Sequence, residues 1–188
     1  DQQPTDIAAG VAFDPVVAIS LRDAYGNLVT SATDSVSVLL TSGTGALVGT
    51  TTVAAVEGVA SFPGLTVEVA GTGKQITATS GVLTSAVSDT FVVSPAAAAA
   101  LAFVQQPTAV VAGTTISPAV TVGVQDAYGN AVPEVSVELA LVGTGTLTGG
   151  GAVLTDAGGV ATFAALSVDL AGSKQLSASS GALTPAVS

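Results

Sequence analysis

The stretch Val120–Asn130 reads Val-Thr-Val-Gly-Val-Gln-Asp-Ala-Tyr-Gly-Asn and joins a strand pattern to a turn signal. Its valines at 120, 122 and 124 fall on one face of an extended chain, because successive side chains of a strand point to opposite sides. In the five residues that follow, Gly and Asn accept positive φ, and Asp bonds its own backbone. The stretch therefore predicts a half-buried β-strand that ends in a tight hairpin.

The chain contains an internal duplication. Four motifs recur in the same order, at offsets that shrink from 103 to 100 residues. They are Gln2–Thr5 with Gln105–Thr108, Asp23–Asn27 with Asp126–Asn130, Gly58–Phe62 with Gly159–Phe163, and Ser80–Thr84 with Ser180–Thr184. Such order indicates two homologous modules. We predict that they span residues 1–95 and 96–188, with Ala96–Ala100 as a short linker into the next strand; a helical turn there is the alternative.

Alternation with a period of two dominates both modules, and no apolar stripe of helical spacing is present. Turn signals every eight to twelve residues are typical of sandwiches and barrels. We therefore predict an all-β chain of two tandem antiparallel β-sandwich modules, with about seven short strands each; the motif resemblance described below makes them Ig-like. For the second module we expect strands near 99–106, 118–125, 134–142, 145–148, 151–155, 159–164 and 174–180.

The two modules differ at their ends. The second has Leu101–Val104 before its Gln-Gln-Pro, where the first has only Asp1; the first continues with Asp89–Ser94, whereas the second stops at Ser188. The first strand of module 1 and the last strand of module 2 are thus predicted to be truncated. Because an edge without its strand exposes backbone groups, we expect flanking sequence of a longer array to supply it, with a neighbouring chain as the alternative.

Composition excludes several classes of function. The net charge is −10, and Arg22, Lys74 and Lys174 are the only bases, too few for binding nucleic acid or an anionic membrane surface. The chain has no His and no Cys, which removes imidazole acid–base chemistry, thiol catalysis, imidazole or thiolate metal sites and disulfides. No apolar run approaches the ~18 residues of a membrane span. We predict a non-enzyme without catalytic residues, cofactor or membrane insertion.

The remaining polar motifs give weak site predictions. Asp14, Asp23 and Asp34 are spread along module 1 and form no calcium-loop pattern, so we predict no metal site. Tyr25 and Tyr128, the only tyrosines, are the best candidates for contact with a partner.

Two further pairs of equivalent residues give structural predictions. Lys74 and Lys174 are expected to protect a strand edge by their charge. Phe62 and Phe163 lie on an alternating strand and are predicted to anchor the two cores.

The motifs also resemble a known family. Asp-Ala-Tyr-Gly-Asn after a β-run resembles the D-x-x-G-N hairpin of bacterial Ig-like domains, as found in invasin- and intimin-type surface proteins. Leu154–Phe163 resembles their T-D-x-x-G-x-A-T segment, and Ala171–Ala178 resembles their A-G-x-x-x-hydrophobic-x-A strand. Module 1 departs from the pattern at Val53–Gly58, where the T-D-x-x-G turn is replaced.

The resemblance implies a structural, non-catalytic stalk or spacer on an extracellular or cell-surface, adhesin-like protein, whose partners are neighbouring modules of the same chain. A self-assembling subunit of a filament, surface layer or virion decoration, joined to identical chains by strand complementation, is one alternative. A carbohydrate- or protein-binding module is another, although 4% aromatic residues is low for sugar platforms.

Overall fold

A computed structural model describes all residues from 1 to 188. The chain forms nineteen strands and no helix, so it holds no helix long and apolar enough to cross a membrane. It divides into two compact units, Asp1–Pro95 and Ala96–Ser188. The predicted all-β class is confirmed.

The first unit contains ten strands in two main sheets. They are β1 (Ile7–Ala8), β2 (Val17–Ser20), β3 (Ser35–Ser42), β4 (Leu47–Val48), β5 (Thr52–Ala54), β6 (Val59–Phe62), β7 (Thr66–Val67), β8 (Gly71–Thr79), β9 (Ala86–Val87) and β10 (Phe91–Ser94). One sheet has the order β1-β10-β8-β3-β5, with β9 also bonded to β8, and the other consists of β2 and β6. All pairs are antiparallel except β1 with β10.

The second unit repeats this arrangement with nine strands. They are β11 (Ala98–Gln105), β12 (Val120–Asp126), β13 (Ser136–Val142), β14 (Leu147–Thr148), β15 (Val153–Leu154), β16 (Val160–Phe163), β17 (Ser167–Val168), β18 (Gln175–Ser179) and β19 (Ala186–Val187). One sheet has the order β11-β12-β16, the other β15-β13-β18-β19, and β14 pairs with β17. Seven of these strands lie within a few residues of the predicted ones. The other two, β17 and β19, were not predicted, because two residues are too few to show an alternating pattern.

The core of the second unit lies between its two sheets. The valines at 120, 122 and 124 on β12 are at most 1% exposed and pack in one cluster with residues of β13, β16 and β18. Phe163 on β16 is 2% exposed and lies opposite Val120. Phe62 holds the same place in the first unit, opposite Val17, at 1% exposure. Both phenylalanines are core anchors, as predicted.

The alanine run is extended. Ala98 and Ala100 already belong to β11, where they pair with Asp126 and Gln125 of β12. The helical alternative is therefore wrong, and the linker reading is confirmed in a shorter form. An alanine run this short is marginal as a helix in water, whereas the edge of β12 offers it a full ladder of backbone hydrogen bonds.

The expected role of Lys74 in edge protection is wrong. Lys74 lies on β8, an interior strand between β10 and β3, and its side chain is fully buried. Its Nζ donates to the carbonyl of Thr44, and burial lowers the pKa of the ammonium group. Lys174 is only half-buried, with its Nζ 3.4 Å from Thr144 Oγ1. Strand β10 pairs with β8 at Lys74, whereas no strand lies at the equivalent place beside Lys174.

Phe163→Ala should lower the free energy of unfolding of the second unit by about 3–5 kcal/mol, since it removes a buried ring from the centre of the sandwich. Urea denaturation measures the loss. Leu154→Ala is the matched control: Leu154 is 62% exposed, and its truncation should change stability by no more than about 0.5 kcal/mol. A loss below about 1 kcal/mol for Phe163→Ala would contradict this assignment of the core.

Candidate functional site

The Asp-Ala-Tyr-Gly-Asn hairpin of the second unit is organised by one carboxylate. Asp126 Oδ1 accepts hydrogen bonds from the backbone amides of Tyr128 and Asn130, both at 2.9 Å, and Oδ2 accepts one from Asn130 Nδ2 at 2.8 Å. Backbone bonds between Asp126 and Asn130 close the turn. Gly129 has a φ of +82°, a conformation that an L side chain would strain.

The first unit contains the same hairpin. Asp23 accepts from the amides of Tyr25 and Asn27 at 2.9 Å and from Asn27 Nδ2 at 3.0 Å, and Gly26 has a φ of +83°. The motif is therefore a turn that its own side chains stabilise, as the sequence indicated. The oxygens of its carboxylates accept hydrogen bonds from the nearby backbone.

One contact distinguishes the two hairpins. Asp126 Oδ2 also accepts a hydrogen bond from the backbone amide of Ala96, at 2.8 Å. Strand β11 starts beside it, with Ala98 opposite Asp126, so that Asp126 is only 3% exposed while Asp23 is exposed. We call this the Asp126–Ala96 clamp: it fixes the first residue of the second unit to the end of β12. Sequence reasoning missed the clamp, because nothing in the motif identifies a partner 30 residues earlier.

The hydrogen bonds make both carboxylates stronger acids. For Asp126, burial raises the pKa, but the bonds from the Asn130 side chain, from Ala96 and from the hairpin amides outweigh that effect and hold the pKa below its ordinary value of 3.8. For Asp23, the Asn27 side chain and then its amide lower the pKa in the same direction. Both groups are therefore charged acceptors at neutral pH, and a charged acceptor makes a stronger hydrogen bond than a neutral one.

The two tyrosines project from these hairpins into solvent. Tyr25 is 91% exposed and Tyr128 44%. An exposed aromatic side chain at the tip of a rigid turn can enter an interface with little loss of conformational entropy. Their role as partner contacts stays a prediction.

The acidic residues are dispersed in the fold as in the sequence. No group of three or more acidic, His or Cys side chains comes close enough together to hold a metal ion. Asp14 and Asp34 are exposed, and neither joins Asp23 in such a group.

Each unit also has an open groove. In the second unit it lies between residues 107–112 and 170–176 and has a volume of about 440 Å³. In the first unit, a groove of about 420 Å³ runs past residues 19–24 and 78–80, where the counterpart of β11 would lie. The Asp1 carboxylate lies at the end of this edge and accepts a hydrogen bond from the Ser20 amide at 2.7 Å.

Asp126→Ala should destabilise the second unit by about 1–3 kcal/mol, because the buried amides that bond to the carboxylate lose their acceptor. Denaturation at neutral pH measures this, and Asp23→Ala, which breaks no linker contact, should have the smaller effect. The Asp126 pKa is depressed in the folded state. Its contribution is therefore fully present above pH 3.8 and is lost as the pH falls through the folded value, where variant and parent should converge. Equal effects of the two variants at neutral pH would contradict the clamp.

Chelation should leave the protein unchanged. We expect the same melting temperature with EDTA as with millimolar Ca²⁺, since a ligand that binds only the native state would stabilise it by mass action. A rise of several degrees on adding Ca²⁺ would overturn the prediction that no metal site exists.

Comparison with known proteins gives likenesses among solved structures only. No family model and no curated protein sequence matches the chain. The D0-D1 domain of intimin is 16% identical, with a TM-score of 0.40 over 98% of this chain and 94% of that one. Invasin, described as a bacterial integrin-binding protein, is 17% identical, with a TM-score of 0.43 over 98% of this chain and 37% of its own length.

The Yersinia pseudotuberculosis adhesin InvE is 21% identical, with a TM-score of 0.38, and the chain spans about half of it, 55%. A Parabacteroides merdae β-glucuronidase is 15% identical at a TM-score of 0.36, and the chain spans 23% of that enzyme. The Ig-like assignment rests on the strand order and pairing of the two units.

Proposed function

We propose that this chain is a structural, non-catalytic segment of repeated Ig-like modules, which acts as a stalk or spacer in an adhesin-like protein outside the cell. The observation that carries the proposal is the continuous path from one unit into the next. Strand β10 ends at Ser94 and β11 begins at Ala98, so that only Pro95, Ala96 and Ala97 lie between them. The amide of Ala96 is fixed by the Asp126–Ala96 clamp.

The connection between the two units is short, which suits a spacer. Only Pro95, Ala96 and Ala97 separate β10 from β11, and proline fixes its own φ and restricts the residue before it. Asp23 presents the same carboxylate at the equivalent hairpin of the first unit. A repeated chain built this way carries one such anchor in each module.

The surface chemistry agrees with a structural role. Charged residues make up 9% of the chain, and His and Cys are absent, so neither imidazole acid–base chemistry nor a thiol nucleophile is available. The partners proposed here are neighbouring modules of the same polypeptide, and neither nucleic acid nor a membrane interior. The extracellular or cell-surface location follows from the resemblance of the motifs.

The groove in each unit favours a second candidate function. If a strand of another copy enters it, the chain is a subunit of a filament or surface layer. A third candidate, a module that binds carbohydrate or protein, depends on Tyr25 and Tyr128, which are exposed at the hairpin tips. We favour the stalk, because the link between β10 and β11 already joins modules covalently.

The stalk proposal predicts a monomer whose two units resist load separately. Light scattering should give a mass of 17.8 kDa at every protein concentration. Pulling on the two ends should give two unfolding events, each releasing roughly 300 Å of chain, the contour length of one unit. If ordered polymers form and grow with protein concentration, the filament proposal replaces the stalk proposal. A single unfolding event that releases twice this length would contradict the independence of the two modules.

A further inference from the structure

The first unit holds its first and last strands side by side. Strand β1 lies parallel to β10, with Ile7 opposite Val93 and Ala8 opposite Ser94, and all other strand pairs of the chain are antiparallel. Just after β1, the Ala9 amide donates to Ser94 O at 2.8 Å. Because the two strands are parallel, the polypeptide enters this ladder at one end, through β1, and leaves it at the other, from β10.

Two side chains extend the ladder ahead of β1. Asp6 Oδ1 accepts a hydrogen bond from the Val92 amide at 2.7 Å, and Gln3 Oε1 accepts one from the Asp89 amide at 3.1 Å. Together with the backbone bonds of β1, β10 and Ala9, these contacts form what we call the terminal ladder. It joins the segment through which the polypeptide enters the first unit to the segment through which it leaves.

Apolar side chains hold β10 in the terminal ladder. Phe91 and Val93 of β10 are 2% and 1% exposed, and the Phe91 ring meets Phe13 edge to face, with centroids 5.2 Å apart. Ala9 is buried as well. Strand β10 therefore cannot leave its place without exposing part of the core to water, which costs free energy.

Tension along the polypeptide acts on the terminal ladder in shear. A pull on the segment before Ile7 and on the linker after Ser94 drives β1 and β10 in opposite directions along their common axis. Because the hydrogen bonds of a ladder lie across the strands, all of them carry such a load together. A pull on two points at the same end of a ladder instead breaks its bonds one after another.

The contacts nearer the N terminus protect little of the fold. Gln2 pairs with Ala18 in one isolated bridge, and the Asp1 carboxylate bonds to Ser20. Their loss frees only the residues before Gln3 and leaves the core closed. The terminal ladder is therefore the first barrier whose failure opens the first unit.

We infer that the terminal ladder sets the resistance of the first unit to tension, and that Asp6 is a positioning residue in it. The Asp6 carboxylate holds β10 at Val92, and a charged acceptor makes a stronger hydrogen bond than a neutral one. The second unit has Ala109 at the position of Asp6 and lacks this acceptor. The inference deepens the proposed stalk function and rests on it, since a spacer is loaded along its own polypeptide.

The direction of pulling tests the terminal ladder. The chain has no cysteine, so two introduced cysteines define the points at which force is applied. Asp1→Cys with Ala97→Cys loads the ladder in shear, whereas Val11→Cys with Ala97→Cys pulls it apart from one end, beside the Ala9–Ser94 bond. We expect the first unit to unfold in shear at a force at least about twofold higher, because forced unfolding is governed by the barrier that the load meets. Equal forces in the two directions would overturn the inference.

The role of Asp6 is tested in the same two directions. In shear at constant force, Asp6→Ala should speed unfolding at least about fivefold, since one hydrogen bond to a charged acceptor is lost. Asp6→Asn keeps an oxygen acceptor and should restore most of the resistance. The matched control is Ser37→Ala, which removes the 2.8 Å hydrogen bond between Ser37 Oγ and Thr52 Oγ1 on β3 and β5 and should leave the rate in shear unchanged.

A general loss of stability would act in both directions of pulling. If Asp6→Ala speeds unfolding equally in both, or no more than Ser37→Ala does in shear, Asp6 is not a positioning residue of the terminal ladder and that part of the inference is wrong. The stalk proposal is tested separately, by the mass of the chain and by the two unfolding events. A monomer with two events and equal forces in the two directions would keep the stalk and overturn the terminal ladder.

Discussion

The architecture of the second unit depends on strand β12 being bonded along both edges while one face is fully buried. Its ladder with β11 runs from Asp126 to Thr121, and its ladder with β16 from Val120 to Gly123. The valines at alternate positions enter the core, so a slip by one residue would turn all of them to the other face. Hydrogen bonding and burial therefore select the same pairing, and the hairpin and the start of β11 follow from where β12 ends.

Charge has an unusual use in this chain. Several of its few ionisable groups make hydrogen bonds within the fold. Asp126 and Asp23 satisfy backbone amides in turns, and Lys74 donates to a carbonyl from a fully buried position. A buried charge is costly unless its hydrogen bonds are made, and every buried polar side-chain atom here has a partner. The chain has few charged residues, but several of them make hydrogen bonds that stabilise the fold.

Much of the fold is predictable because its cause is local. Alternation locates β12, β13 and β16, and the Gly and Asn of the Asp126–Asn130 hairpin mark the turn that ends β12. The Asp126–Ala96 clamp and the burial of Lys74 were beyond such reasoning, since both arise from pairing between segments distant in sequence. The two modules have similar sequences around their lysines. Lys74 is buried because β10 pairs beside it, and Lys174, with no such strand next to it, is half-buried.

The three-residue connection between β10 and β11 has a consequence for resistance to proteolysis. An endoprotease needs a run of extended, unpaired backbone in its cleft. The connection has only three residues, Pro95, Ala96 and Ala97, which is shorter than such a run, and a paired strand lies on each side of it. Enzymes that cleave after basic residues find only Arg22, Lys74 and Lys174, of which Lys74 is inside the sheet. Digestion at the linker or at Lys74 would have to wait for a ladder to open, so the rate of cleavage at these two places is set by local unfolding.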